Sequence, residues 1–118
     1  FAAALAALSP SCRHVADTSG EAIPRCFSSR GGEPLTAAQL SHGEADAVVI
    51  AATATLIGLD RSLVLIDRPD LHVDDAARLL SGLAAVGQDN QWILAVRPGL
   101  GLDSLGAHVI TLKGVSAR

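Results

Sequence analysis

Two short segments carry residues whose types and spacing could do chemistry. The first is Leu40-Ser41-His42-Gly43-Glu44. A hydroxyl followed by a carboxylate at the third position beyond it is a capping box, in which each side chain satisfies a backbone N–H of a helix start. The same geometry also presents a hydroxyl and the Gly43 amide at a helix N-terminus, an anion site suited to a terminal phosphate. The second segment is Leu63-Val64-Leu65-Ile66-Asp67-Arg68-Pro69-Asp70. An apolar strand ending in Asp67 sets a carboxylate at a sheet edge, where it could organise Mg²⁺ and its waters or simply cap a turn. Asp74 falls where the next helix should start and could equally be its N-cap.

These residues need elements to position them. Residues 44–57 read as a helix stopped by Gly58. Residues 62–66, ending at Asp67, form a short continuous apolar run, the mark of a buried parallel strand. A helix over 74–86 turns Leu79, Leu80 and Leu83 inward, with Gly87 just past its end. Residues 91–96 read as a second buried strand, and 107–112, after a glycine-rich loop, as a third. Strand, helix, strand, loop, strand predicts a parallel βαβ core, with chemistry beyond the carboxyl ends of the strands, where Asp67, Arg68 and Arg97 fall.

Upstream, Phe1 to Leu8 reads as a helix end closed by Pro10, and 12–17 and 22–29 as strands around a Ser19-Gly20 turn. Arg30 to Glu33 is a second turn, so the segment makes a small antiparallel patch. The expected architecture is α/β in two parts: residues 1–33 as the helix end and antiparallel patch, and 34–118 as the lobe carrying the motifs. A start at Phe1 rather than Met suggests a piece of something longer.

Composition narrows the classes. The chain has 118 residues, 49% of them apolar, which excludes a disordered or acidic-tail protein and suffices for one real core. No apolar run approaches the ~18 residues of a membrane-spanning helix, so no membrane partner is expected and the location is read as cytoplasmic. Phe1, Phe27 and Trp92 are the full aromatic set, and the net charge is −3. Direct nucleic-acid binding therefore lacks both phosphate neutralisation and base stacking, and nucleic acid would enter only through the rest of a parent protein. Cys12 and Cys26 read as reduced thiols. The four histidines show no metal-ligand spacing.

Taken together, the order Leu40-Ser41-His42-Gly43-Glu44, helix, apolar strand, Asp67-Arg68-Pro69-Asp70-Leu71-His72 resembles the C-terminal half of an ABC-type ATPase head. The likeness is to the branch holding SMC, RecF-like and OLD-family proteins, where Leu-Ser-x-Gly-Glu opens a helix and a strand ends in Asp-Glu-Pro-Glu-Leu-His. It spans residues 34–112 and implies a P-loop-NTPase-like C-terminal lobe. It implies that Ser41, Gly43 and Glu44 belong to the signature motif, with Ser41 and Gly43 meeting the γ-phosphate of ATP held by a partner subunit. Asp67 would be the Walker B aspartate, positioning Mg²⁺ through water, and Asp74 the D-loop aspartate across a head-to-tail homodimer.

The departures bear equally on function. The family's catalytic glutamate, general base for the attacking water, falls at Arg68, and a guanidinium accepts no proton at neutral pH. The switch histidine falls at Arg97, which as a cation could still meet a γ-phosphate. The sequence holds no Gly-x-x-x-x-Gly-Lys-Ser/Thr, and Lys113 is its one lysine. In the family that loop lies in an N-terminal half, which is thus an expected partner. ATP and Mg²⁺ are expected in a full-length protein and not as tight ligands of this chain. Hydrolysis is expected to be impaired or lost. Two other readings stay open: a non-enzymatic α/β interaction module, and a receiver-like phosphoacceptor domain using Asp67, although the latter lacks the acidic pair after its first strand.

Overall fold

In a computed structural model, residues 1–29, 32–70 and 76–112 are described. The chain opens with helix α1 (Ala2–Leu8), followed by three two-residue strands, β1 (Arg13–His14), β2 (Phe27–Ser28) and β3 (Pro34–Leu35). A short 3₁₀ turn leads into the long helix α2 (His42–Ile57), then β4 (Leu63–Asp67), α3 (Ala76–Ala84), β5 (Gln91–Ala95) and a second 3₁₀ turn. The result is a mixed α/β arrangement with two separate sheets. β1, β2 and β3 form an antiparallel ribbon in that order, and β4 and β5 form a parallel pair.

The core forms where α1, rich in alanine and leucine, lies against α2, α3 and β1. Leu5 is fully buried there with Cys12, Phe27, Ala47 and Ala51. On α2, Ala47, Ala51 and Ala54 recur at helical spacing on one buried face. Their small side chains leave little between helix and core, which suits a chain short of aromatics. Burial pushes the Cys12 thiol up from its ordinary pKa, and the Glu44 carboxylate adds to the effect. Cys12 and Cys26 are both free thiols, as expected.

α2 begins two residues before the expected Glu44, at His42, and is closed by Gly58 in the left-handed conformation. In α3, Leu79 and Leu83 are buried and Leu80 half-buried, so the inward face is as the spacing predicted. Asp74 lies outside the described residues. The antiparallel patch is present, with strands much shorter than 12–17 and 22–29, because only Arg13–His14 and Phe27–Ser28 find ladder partners.

Two expectations for the parallel sheet are corrected. β4 and β5 run in register from Leu63 opposite Gln91 to Asp67 opposite Ala95, yet they are not buried on both faces. Val64, Ile66, Trp92 and Leu94 are half-buried, while Leu65 is 70% and Leu63 57% exposed. Strand residues alternate between faces, and in both strands one face is half-buried while the other is exposed. The apolar run was continuous because both faces are apolar, not because both are covered. Residues 107–112 form no strand: Ile110 and Leu112 are largely exposed, and no strand among the described residues pairs with them. An apolar, β-prone run becomes a strand only when another backbone satisfies its N–H and C=O groups.

Candidate functional site

The first candidate motif sits at the amino end of α2. Ser41 is the N-cap, and its Oγ accepts from the Glu44 backbone N–H at 3.3 Å. Glu44 answers with Oε2, which accepts from the Ser41 backbone N–H at 3.0 Å and from its hydroxyl at 2.9 Å. The Ser11 hydroxyl donates to Oε1 of the same carboxylate at 3.3 Å. The reciprocal capping box is thus complete, and it ties the helix start to the loop after α1. Burial by itself would raise the Glu44 pKa, but the bonds from the Ser41 amide, the Ser41 hydroxyl and Ser11 outweigh it and hold the group below its usual value. Gly43 lies in the first turn, half-buried. In this arrangement the Ser41 proton is directed to Glu44.

The second motif sits at the carboxyl ends of β4 and β5. Asp67 is the last residue of β4 and is exposed. The ladder runs one step further, with the Arg68 N–H donating to the Ala95 carbonyl at 2.8 Å. Arg68 itself adopts φ 53°, in the left-handed region that costs a non-glycine residue of order 1–2 kcal/mol. The turn this makes brings the chain back so that Asp70 lies between two arginines. Arg68 Nε is 3.1 Å from Asp70 Oδ1, and Nη2 is 3.4 Å from Oδ2. From the end of β5, Arg97 places its backbone N–H 3.4 Å from Oδ2 and its Nε also 3.4 Å from Oδ2. The Asp70 side chain is 1% exposed, whereas those of Arg68 and Arg97 are 43% and 54% exposed. The Arg68 hydrogen bond is the main reason that the Asp70 carboxyl sits below its ordinary pKa.

Arg68 and Arg97, singled out separately, are therefore brought together, and the residue that joins them is Asp70. Nothing in the sequence alone assigns Asp70 a role. Its link to Arg68 two positions back was open to a local reading, whereas its link to Arg97 depends on the pairing of β4 with β5. No hydrogen bond or ion pair joins Ser41 or Glu44 to Asp67, Arg68 or Arg97 among the described residues. Asp74 cannot be placed with either group, since it lies outside those residues.

The chemistry available at the strand ends follows from these groups. No cluster of three or more His, Cys, Asp or Glu side chains able to hold a metal occurs among the described residues. Asp67 offers a single carboxylate, which fits only Mg²⁺ held largely by waters and by the phosphates of a ligand, a common mode for that ion. Arg68 cannot act as a base, and its Nε and Nη2 are held on Asp70.

A second cluster, also missed, lies at the opposite ends of the same strands. Asn90 Oδ1 accepts from the Ser62 N–H at 2.9 Å, and its Nδ2 donates to the carbonyls of Leu59 and Val86 at 2.9 and 3.0 Å. Asp60 accepts from the Gln88 N–H at 2.7 Å, and the Arg61 N–H donates to the Gln88 carbonyl at 2.7 Å. Every bond here serves the backbone of the two loops entering the strands.

No family model and no solved structure matches the chain. Among curated proteins it is similar to UvrABC system protein A of Oceanobacillus iheyensis, 34% identical over 85 residues, which are 70% of this chain and 9% of that protein. UvrABC system protein A of Streptococcus pyogenes serotype M3 is likewise 34% identical over 83 residues, 69% of this chain and 9% of its own length. The chain thus spans only a small part of the length of the relatives it matches. No helix among the described residues is long and apolar enough to cross a membrane.

Proposed function

We propose that this chain is a segment of an ABC-type ATPase, a P-loop-NTPase-like C-terminal lobe that takes part in ATP-dependent dimerisation and has impaired or no hydrolysis. Similarity to UvrABC system protein A, an ABC-type ATPase, over 70% of the chain supports the family. It agrees with the independent order of motifs, Leu40 to Glu44 followed by a strand ending in Asp67. The parallel pair β4–β5 with its α3 crossover and the charged strand ends supports the lobe. Within the ABC-type proteins, a tie to the branch of SMC, RecF-like and OLD-family proteins rests on the motif wording alone.

In this reading Asp67 holds Mg²⁺ through water, and Ser41, Gly43 and Glu44 form the signature end of α2 facing nucleotide on a partner subunit, with Asp74 across the same interface. Mg²⁺ would neutralise phosphate charge there. The P-loop comes from another part of the protein, and a head-to-tail homodimer completes the site. The observation that carries the impaired hydrolysis is the Arg68 guanidinium, 3.1 Å from Asp70, at the position where the family has its general base. The test is ATP turnover by the full-length protein, with dimerisation followed by light scattering. ATP should promote the dimer while turnover stays at background, and robust turnover in the unmodified protein overturns the impaired-hydrolysis reading.

A second reading has its own support. Leu63, Leu65 and Ile93 on the sheet, and Val49, Leu56 and Ile57 on α2, are exposed apolar side chains. Parallel sheets are ordinarily covered on both faces, so an interaction module without enzymatic activity would use the same surface. It predicts that ATP leaves the oligomeric state of the full-length protein unchanged.

A further inference from the structure

The Arg68–Asp70–Arg97 cluster has no part in the reading above except as a lost base and a lost switch. Its geometry, however, is that of a built site. Two guanidiniums from just past the ends of two different strands are held on one carboxylate that is itself buried. Asp70 takes hydrogen bonds from Nε and Nη2 of Arg68 and from the backbone N–H of Arg97, with Arg97 Nε alongside. The Nη1 group of Arg68 and the Nη groups of Arg97 are not hydrogen-bonded to it, and both side chains are about half exposed. Anchored by their inner edges, the two forks present their outer N–H groups at the carboxyl ends of two parallel strands, the side of an open α/β sheet where ligands bind. A planar fork with its entropy already spent is suited to tetrahedral oxyanions.

We propose that Arg68 and Arg97 form a two-guanidinium clamp for a phosphoryl oxyanion, with Asp70 as the positioning residue that holds them side by side. This goes beyond the proposed function because the clamp lies wholly within this chain and needs neither a P-loop nor a partner subunit. Asp67 and Asp70 balance the two arginines in formal charge, so geometry rather than excess positive field supplies the affinity, and binding is weak. The ligand chemistry is shared by free inorganic phosphate and by the terminal phosphate of a nucleotide.

The test titrates the 118-residue chain with inorganic phosphate, and separately with ATP, at low ionic strength, following the arginine Nε–Hε resonances by NMR. The Arg68 and Arg97 signals should shift together and saturate, while that of Arg61 stays in place. If both anions act, the clamp reads any phosphoryl group; tighter binding of ATP assigns it to a nucleotide, and tighter binding of phosphate to the free anion. Arg68→Gln and Arg97→Gln should each weaken binding by roughly three- to tenfold, the loss of one charge-assisted contact at a half-exposed site. Asp70→Asn gives an opposed sign. It raises the net charge by one, so a simple electrostatic patch would bind phosphate more tightly, whereas a clamp that depends on orientation binds it less tightly. Tighter binding by Asp70→Asn, or absence of saturable shifts in the unmodified chain, overturns the proposal. If Asp70→Asn fails to fold, the two arginine variants decide it alone. The result is independent of turnover in the full-length protein, so the clamp and the ATPase reading can fail separately.

Discussion

The two ends of the β4–β5 pair are built on different chemistry. At the entry end, Asn90 and Asp60 tie two loops together with backbone-directed hydrogen bonds, all of them spent on local geometry. At the exit end, Arg68, Asp70 and Arg97 are held by charged contacts around one buried carboxylate and leave half-exposed guanidiniums facing solvent. A parallel pair with one crossover helix has both strand exits on the same side. That side collects side chains from separate parts of the sequence, and the other side only has to hold its loops closed. The difference therefore separates stability from chemistry along the length of five-residue strands.

The comparison can be broken at the entry end first. Gly87 has φ 70°, and an added Cβ would overlap the Leu59 carbonyl oxygen. Gly87→Ala should destabilise the chain by roughly 2–4 kcal/mol through strain and overlap, read as a fall in the urea midpoint, and should leave the exit-end arginine resonances where they are. Asn90→Ala removes the partner of one N–H and two carbonyls and should cost about 1–3 kcal/mol by the same measurement. A loss smaller than that of an exposed control substitution would mean that water replaces the amide at little cost, and the entry end would no longer count as a lock.

Away from the strands, Ser41→Ala removes the α2 cap and half of the capping box, with an expected loss of about 1 kcal/mol in thermal or urea unfolding. Ser41→Thr should recover most of it. If both variants are as stable as the parent, Ser41 is not a structural cap, which would strengthen its assignment to nucleotide.

The smallest effect belongs to the exit end and depends on pH. The Asp70 carboxyl is lowered in the folded chain, chiefly by the Arg68 hydrogen bond. Its contribution to stability is therefore fully present above the ordinary carboxylate range, and is lost as pH falls through the lowered folded value. The stability gap between the parent and Asp70→Asn should be constant near neutrality and should close in acid. Because the arginines are half exposed and screened, the gap stays small. A gap that persists into strong acid would show that Asp70 acts through packing and not through its charge.

Much of the local structure was legible in the chain. The Ser41–Glu44 spacing signalled a capping box, Gly58 the end of α2, and the leucines of α3 its buried face. Each of these depends on residues within one or two turns of one another, where backbone geometry leaves few choices. Of the expected parallel strands, β4 and β5 form, but their environment differs from the expected burial. Leu63 and Leu65 belong to a continuous apolar run whether or not anything covers them, and coverage is a property of what packs above the sheet. Residues 107–112 show the same limit, since Val109 and Ile110 favour a strand that only a partner backbone can provide. Asp70 was overlooked because its second partner, Arg97, lies 27 residues away.

The sequence by itself determined that the chain is α/β, where α2 starts and stops to within two residues, and which two segments could carry chemistry. Those properties follow from periodicity, capping and strand composition, all short-range. Tertiary structure alone decided that Arg68 and Arg97 meet, and that Asp70 is buried between them. It also decided that one face of the parallel sheet is open. The reason is register: once Asp67 pairs with Ala95, the residues just past both strands are brought within reach of one carboxylate, and no local rule specifies that pairing.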